Sequence, residues 1–214
     1  SIAGQQSAHA RRAAGGAWWA SAWGLLRWAS QRGQALDAVA LSASASACGM
    51  GREWEKALQI LDGMLREDVK PDVIACSAAL SACDRAQQWA RALHFIGEMG
   101  RSMLRPDALA YNAAMSACEK GRQWESALAL LEELCGSRLL PVTVTYNSVV
   151  SACEKSHQWW HALRLVGQLS QSTLQLDLVT YGSALCACER GRRWLQALAL
   201  AAEAQTAGLR LDLV

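Results

Sequence analysis

Apolar residues recur at helical spacing in two short blocks, and a polar run separates one block from the next. In the stretch 143–177 the first block presents four apolar side chains: Val144, Val149, Val150 and Cys153. The polar run 154–158 interrupts this stripe and predicts a turn. A second block begins near Trp159, and its inward positions are Ala162, Leu163, Leu165, Val166 and Leu169. The pattern predicts a hairpin of two amphipathic helices, which must bury their apolar faces against a neighbour.

The same pattern returns every 35 residues, and no gap is needed at any step. Tryptophans mark the period at Trp19, Trp54, Trp89, Trp124, Trp159 and Trp194. Fixed self-similarity of this length is typical of repeat proteins, in which successive hairpins stack on one another. The period divides the chain into six units: 3–37, 38–72, 73–107, 108–142, 143–177 and 178–212. Solenoids usually end in polar capping units, and because none is visible here we expect an excerpt of a longer array.

The chain contains eight cysteines, which raises the question of disulfides. Five of them share one place in successive units: Cys48, Cys83, Cys118, Cys153 and Cys188. Neighbouring helices pack roughly 10 Å apart, which exceeds the ~7 Å limit between Cα atoms joined by a disulfide. We therefore expect free thiols that act as small buried apolar groups. We also expect the tryptophan column to fill the seam between hairpins, because an indole offers a large apolar body.

The net charge of +2 does not by itself indicate a nucleic-acid partner. The placement of charge is more informative, because four cations share one place near the end of the predicted first helices: Arg85, Lys120, Lys155 and Arg190. If the first helices line a groove, this column predicts contacts to phosphates and salt-dependent affinity. The alternative is a solvated face with cations at helix C-termini. No uncharged run reaches the roughly 18 residues of a membrane span, so no membrane partner is predicted.

Two repeat families contain helical hairpins of this length. A tetratricopeptide unit carries a Trp and a Leu-Gly pair early in its first helix, and this chain has neither feature there. The units instead resemble the pentatricopeptide repeat, whose consensus opens Val-Thr-Tyr-Asn and closes with Pro-Asp. The matching pieces are Thr145-Tyr146-Asn147, Ala110-Tyr111-Asn112, Thr180-Tyr181, the Glu-Lys pairs at 119–120 and 154–155, EKALQILDGM at 55–64, Pro71-Asp72 and Pro106-Asp107.

This resemblance implies an all-α, right-handed superhelical solenoid of helix–turn–helix repeats, two helices in each of the six units and so about twelve. It also implies that single-stranded RNA is the partner, read one base per repeat. In that family the fifth and last residues of a unit read the base, which here are Ser7 with Asp37, Ser42 with Asp72, Ser77 with Asp107, Asn112 with Val142, Asn147 with Asp177, and Gly182 with Asp212. The second residue wedges between bases, and those residues are Val39, Ile74, Leu109, Val144 and Val179.

The resemblance also implies a base for each unit. Asn147 with Asp177 is similar to a uracil reader, since an amide offers both a donor and an acceptor and a carboxylate can fix its orientation. The Ser–Asp pairs are similar to the family's purine readers, with guanine expected. Asn112 has Val142 in place of the carboxylate, so we expect a loose pyrimidine preference there, and Gly182 should read little. With RNA running 5′ to 3′ from the N-terminus, the predicted core is G-G-G-pyrimidine-U.

No catalytic constellation is visible in the sequence. Cys153, His157 and His161 would be spaced as metal ligands on one continuous helix, but the predicted turn separates them. We therefore predict no enzyme, no cofactor and no metal. The resemblance implies a role in processing, stability, editing or translation of transcripts in a plastid (chloroplast) or mitochondrion.

Three alternatives stay open. The Asp, Asn and Ser residues at helix starts are also ordinary caps, worth about 1 kcal/mol each. The solenoid surface could serve as a protein–protein interaction scaffold, as in other helical repeat arrays. A catalytic domain elsewhere in the parent chain could also use this array to reach its target.

Overall fold

The structure, a computed structural model, describes residues 41, 43–46, 48, 54–66, 71–102, 104–170 and 176–206. Nine helices have both ends within this part of the chain. They are α1 (Trp54–Arg66), α2 (Val73–Arg85), α3 (Trp89–Arg101), α4 (Ala108–Lys120), α5 (Trp124–Gly136), α6 (Thr143–Lys155), α7 (Trp159–Ser170), α8 (Leu178–Arg190) and α9 (Trp194–Thr206). Residues 41, 43–46 and 48 are also helical, and none of the described residues is in a strand. The predicted all-α solenoid of helix–turn–helix repeats is confirmed.

The helices form two layers. The first helices of successive hairpins pack against one another, α2 on α4, α4 on α6 and α6 on α8. The second helices α3, α5 and α7 each pack against the first helix of their own hairpin and against the first helix of the next one. The first helices therefore form a continuous layer, and we call the exposed side chains of α2, α4, α6 and α8 the first-helix face. A ligand lying along this face would meet one helix from each repeat.

Each hairpin turn contains a left-handed residue that is not glycine. The first turn residue has φ of −82° at Gly121 and −78° at Gly191, which any residue adopts. The next residue has φ of 55° at Arg122 and 52° at Arg192, and His157 and Gln87 repeat this conformation. The glycines in these turns are therefore not required by the backbone. They are explained by what packs against them.

Trp89, Trp124 and Trp159 fill the seam between hairpins, as predicted, whereas Trp194 is 65% exposed and Trp19 lies outside the described residues. A Cβ added to Gly191 would lie 2.5 Å from Cδ1 of Trp159, so the indole of one hairpin occupies the space in front of the next turn. The guanidinium of Arg193 covers the outer side of this ring at 4.4 Å from its centroid, a cation–π contact. Trp124 makes the corresponding link one repeat earlier by packing on the ring of His161, with centroids 4.7 Å apart.

The core consists of the columns that the period predicted, with one exception. The five column cysteines are fully buried, and all eight cysteines are free thiols. Val149, Val150 and Cys153 form the buried stripe of α6, but Val144 is 63% exposed and does not belong to it. The exposed position of Val144 instead suits its other predicted role as a wedge. No helix in the described part of the chain has the length and apolar character needed to cross a bilayer.

Candidate nucleic-acid interface

The last residue of a repeat lies beside the fifth residue of that repeat, because it is also the N-cap of the next first helix. Asp107 caps α4 by accepting a hydrogen bond from Ala110 N at 2.7 Å. The same oxygen, Oδ1, lies 3.0 Å from Ser77 Oγ, whose one proton is shared between it and the backbone oxygen of Val73 at 2.8 Å. The capping interpretation therefore holds for Asp107, and its carboxylate also contacts the predicted base reader. Ser77 is only 8% exposed, so a base would reach little more than its hydroxyl edge.

Asn147 is held at both ends of its side-chain amide. Its Nδ2 donates to Asp177 Oδ2 at 2.8 Å, and its Oδ1 contacts the hydroxyl of Thr180. That hydroxyl is also 2.7 Å from Asp177 Oδ1, so its one proton is shared between the two acceptors. Asp177 at the same time caps α8 through Thr180 N at 2.8 Å. One Nδ2 proton and one Oδ1 lone pair stay available on Asn147, which is the donor and acceptor pair that a base edge can match.

The hydrogen bonds around Asp177 favour its ionised form. Burial alone would raise its pKa, but bonds from the backbone and hydroxyl of Thr180, from the Asn147 amide and from Val179 N outweigh burial, and the pKa lies below its ordinary value of 3.8. The carboxylate is thus charged at neutral pH and acts only as an acceptor. This fixes Asn147 with its NH2 group toward Asp177.

Asn112 has a different partner, because Val142 occupies the place of the carboxylate. The hydroxyl of Thr145 donates to Asn112 Oδ1 at 2.7 Å and accepts from Val142 N at 3.2 Å. Thr145 is 1% exposed, so its hydroxyl has no alternative partner in solvent. The amide of Asn112 is therefore oriented by a hydroxyl from the next repeat.

The predicted wedge residues within the described chain are exposed apolar side chains in one row. Their exposed fractions are 73% for Ile74, 68% for Leu109, 63% for Val144 and 58% for Val179. Each lies three positions before the fifth residue of its repeat, so the two side chains share one face of the helix. A row of exposed apolar groups at a fixed place in four repeats indicates a binding surface.

The predicted phosphate contacts are engaged in ion pairs between repeats. Three of these cations lie within 3.0 Å of a carboxylate that precedes them by one repeat and one residue. The pairs are Lys120–Asp84 at 2.9 Å, Lys155–Glu119 at 2.7 Å and Arg190–Glu154 at 3.0 Å, which we call the ion-pair ladder. Because each of these charges is compensated, a phosphate would have to share or displace a carboxylate.

The remaining predicted site residues belong to the first repeats. Ser7, Asp37, Ser42 and Val39 lie outside the described residues. Asp72 is described, and it caps α2 by accepting from Ala75 N at 2.7 Å. The predicted phosphate ligand Arg85 closes α2 in its last turn.

The residues considered as metal ligands do not converge. Cys153 ends in the core, His157 is the left-handed turn residue and His161 packs on Trp124. Among the described residues no group of three His, Cys, Asp or Glu side chains could hold a metal ion.

Two sets of residues at this surface were not predicted from the sequence. Thr145 and Thr180 follow the Asn they contact by 33 positions. The acids of the ion-pair ladder precede their cations by 36 positions. These threonines, acids and cations each recur at a fixed place in successive repeats, so the sequence contains them as columns. The 35-residue period does not reveal which of these columns are in contact.

Comparison with known families agrees with the repeat pattern. A model of the pentatricopeptide repeat domain matches residues 59–121, and a model of the single PPR repeat matches 45–69, 109–139 and 144–172. Together these matches cover more than half of the 214 residues. A comparison with curated proteins gives no match.

Solved structures share the architecture. The pentatricopeptide repeat protein PPR10 from maize is 28% identical to this chain, with a TM-score of 0.78, over 91% of this chain and 28% of PPR10. PPR10 in complex with an 18-nt psaJ RNA element is 27% identical, with a TM-score of 0.59, over 78% of this chain and 24% of PPR10. The PPR domain of Arabidopsis thaliana protein-only RNase P 1 in complex with tRNA, 11% identical with a TM-score of 0.70 over 80% of this chain and 91% of that one, shares the fold. This chain thus spans about a quarter of the length of PPR10.

Proposed function

Because this chain belongs to the pentatricopeptide repeat family, we propose that its first-helix face binds single-stranded RNA with one base facing each repeat. The observation that carries the proposal is the amide of Asn147, oriented by Asp177 and lying on the same helix face as the exposed Val144. The similarity to PPR10, which has been crystallised with an RNA element, supports the same choice of ligand.

Recognition combines stacking with hydrogen bonding. The exposed wedge side chains separate neighbouring bases and cover their faces, and each such contact contributes about 1–3 kcal/mol by analogy with base stacking on single strands. The amide of Asn147 then presents a donor and an acceptor to a uracil edge. Ser77, whose one hydroxyl proton is shared between Val73 O and Asp107 Oδ1, keeps its lone pairs for a donor on a purine such as guanine. The proposed order is G-G-G-pyrimidine-U.

The ion-pair ladder should limit how much contacts between cations and phosphates contribute to RNA affinity. The side chains of Arg190 and Lys155 are 44% and 37% exposed, so both reach the surface. Each phosphate contact would however weaken an existing ion pair with Glu154 or Glu119. We therefore propose that Arg85, Lys120, Lys155 and Arg190 contact phosphates weakly, and that affinity falls less steeply with salt than it would for unpaired cations.

Fluorescence anisotropy with labelled RNA tests the proposal directly. The protein is titrated into 5′-GGGUU-3′ within a neutral flank and into an A-only RNA of the same length, at two salt concentrations. We expect selective binding to the first RNA that weakens as salt increases. In Asn147→Ser the preference at the fifth base should move from U toward G, because the side chain then matches Ser77. Equal or absent binding by a folded, monodisperse protein would reject base reading.

A protein-binding scaffold is the second candidate function. The ion-pair ladder favours it, since a surface with compensated charge and a row of exposed apolar groups also suits an extended peptide. This candidate would replace RNA binding if the anisotropy experiment showed no interaction with either RNA.

The cellular context is also a proposal. We infer that the parent protein acts on transcripts of a plastid or mitochondrion, as a binding module that can address a catalytic domain elsewhere. Imaging of the tagged full-length protein, followed by sequencing of RNA crosslinked to it, tests this context. Recovery of nuclear-encoded transcripts alone would contradict it.

A further inference from the structure

The identity of the third residue of a repeat follows the identity of the fifth residue, the predicted base reader, of the preceding repeat. The residue 33 positions after a serine reader is alanine in all three cases, namely Ala40 after Ser7, Ala75 after Ser42 and Ala110 after Ser77. The residue 33 positions after an asparagine reader is threonine in both cases, namely Thr145 after Asn112 and Thr180 after Asn147. The structure shows a direct reason for this pairing, because each threonine hydroxyl contacts the asparagine.

The direction of the hydrogen bond at Thr145 follows from its surroundings. Its hydroxyl is 1% exposed and accepts from Val142 N at 3.2 Å, and its one proton needs an acceptor. The acceptor it meets among the described residues is Asn112 Oδ1 at 2.7 Å, and with the amide turned the other way that buried proton would have none. The NH2 group is then turned away from Thr145. A buried threonine thus decides which end of the amide a ligand meets.

The two threonines act in different settings. At Asn147 the orientation is fixed mainly by Asp177 on the nitrogen, because the one proton of Thr180 is shared between Asn147 Oδ1 and Asp177 Oδ1. At Asn112 the carboxylate is replaced by Val142, and Thr145 supplies the only orienting side-chain bond among the described residues. Serine readers need no such partner, because a hydroxyl has no second end to orient.

We propose that Thr145 and Thr180 are positioning residues for base choice, each acting on the asparagine reader of the preceding repeat. This inference rests on the proposed RNA binding. Thr145 makes repeat 108–142 a selective pyrimidine reader although it lacks the carboxylate. The loose preference that sequence analysis predicts for Asn112 is then the behaviour of the Thr145→Val variant, not of the natural protein.

The experiment measures affinity for four RNAs that differ only at the fourth base of 5′-GGGNU-3′, and for four that differ only at the fifth base of 5′-GGGUN-3′. The proteins are the natural chain, Thr145→Val, Thr180→Val and Thr145→Ser. Thr145→Val should reduce the ratio of U to A affinity at the fourth base about fivefold, the equivalent of one hydrogen bond, and leave the fifth base unchanged. Thr180→Val should do the reverse, with a smaller effect because Asp177 still holds Asn147.

The control variant Thr145→Ser keeps the hydroxyl and should keep the natural ratio at the fourth base. A uniform loss of affinity for all RNAs, without a change in either ratio, would mean that the threonines are structural, and the inference would be wrong. Unchanged ratios in both valine variants would overturn it as well, while base reading by the natural chain would stand. If the natural chain binds none of the RNAs, the proposed function fails, and the inference fails with it.

Discussion

Trp89 of one hairpin occupies the space directly in front of Gly121 in the turn of the next hairpin. A Cβ on Gly121 would lie 2.3 Å from Cδ1 and 2.6 Å from Cγ of this indole. The backbone of Gly121, with φ of −82°, does not require glycine. The glycine is therefore explained by a packing contact between repeats, and the left-handed place beside it is filled by Arg122.

The Gly121→Ala variant should be less stable than the natural protein. The added methyl group would overlap Cγ and Cδ1 of Trp89, so the whole indole would have to move within the seam. We expect a loss of about 1–3 kcal/mol in unfolding free energy, the usual range for overpacking. Urea denaturation followed by circular dichroism measures it.

Gly182→Ala is the matched control for this prediction. Gly182 lies within α8, and a Cβ there meets nothing within 4 Å. Alanine should therefore stabilise the helix by about 0.5–1 kcal/mol. If the urea midpoints of Gly121→Ala and Gly182→Ala moved in the same direction, the role assigned to the contact between Trp89 and Gly121 would be contradicted.

The charge of Asp177 should contribute to stability in a pH-dependent way. Its pKa is lower in the folded chain than its ordinary value of 3.8, so its contribution is present above that value and is lost as the pH falls through the folded pKa. The Asp177→Asn variant keeps an oxygen for the cap and should lose this acid dependence, whereas Asp177→Ala should also lose about 1 kcal/mol of capping at pH 7. Urea midpoints at pH 7 and below pH 4 test both expectations, and identical acid profiles for the natural chain and Asp177→Asn would count against them.

Converting a serine reader to an asparagine reader should be more complete when its partner residue changes too. We expect Ser77→Asn alone to shift the preference at the third base toward uracil, because Asp107 can hold the new amide as Asp177 holds that of Asn147. Adding Ala110→Thr should increase the uracil preference further by a smaller amount, and the buried threonines in repeats five and six show that this place accommodates the side chain. Anisotropy with 5′-GGNUU-3′ checks this, and equal selectivity of the single and double variants would contradict it.

Glu119 should limit the contact of Lys155 with phosphate. Its carboxylate lies 2.7 Å from Lys155 Nζ. The Glu119→Gln variant removes that competitor, so RNA affinity should rise and the logarithmic salt slope should steepen by about 0.7, the value for one more phosphate contact on a single strand. Lys155→Gln should have the opposite effect. A slope that is the same in both variants would show that Lys155 does not contact phosphate.

Thiol reactivity should separate core cysteines from surface cysteines. Burial raises the pKa of Cys83 and Cys118 to about 12 and that of Cys153 to about 11, so these thiols are protonated and enclosed at pH 8. Only Cys135 and Cys186 are exposed among the eight. A chromogenic disulfide reagent should therefore titrate two thiols in the native protein and all eight in denaturant. Cys186→Ser should reduce the native count to one, and more than two reactive thiols in the natural chain would contradict the buried column.

Much of the fold was predictable because it depends on local patterns. The apolar stripes and the polar run 154–158 predict α6, the turn and α7 close to their observed limits, since helix formation depends on residues within one or two turns. The column of Cys could be assigned to the core because a small apolar side chain has one obvious environment. The Trp column lies at the seam, where Trp54, Trp89, Trp124 and Trp159 are partly buried and Trp194 is exposed. Val144 was assigned both to the stripe and to the wedge row, and only the structure shows that it is exposed.

The candidate site was predictable in part. The pairing of the fifth and last residues of a repeat came from a family resemblance, and the bonds of Asp107 and Asp177 agree with it. From the sequence, the cations of the ladder were predicted to contact phosphates or to lie on a solvated face. Their pairing with carboxylates depends on how far one hairpin is displaced and rotated relative to the next, which no local pattern specifies.

The sequence by itself determined the period, the helices, their caps and the buried columns, because these follow from backbone periodicity and side-chain polarity within single repeats. Only the tertiary structure decided which columns touch across repeats: Thr145 with Asn112, Lys155 with Glu119, and Trp89 with Gly121. These contacts join residues 32 to 36 positions apart, on both sides of the 35-residue period. Which two residues are in contact between repeats depends on the offset between stacked hairpins. That offset is set by helix packing and not by either residue.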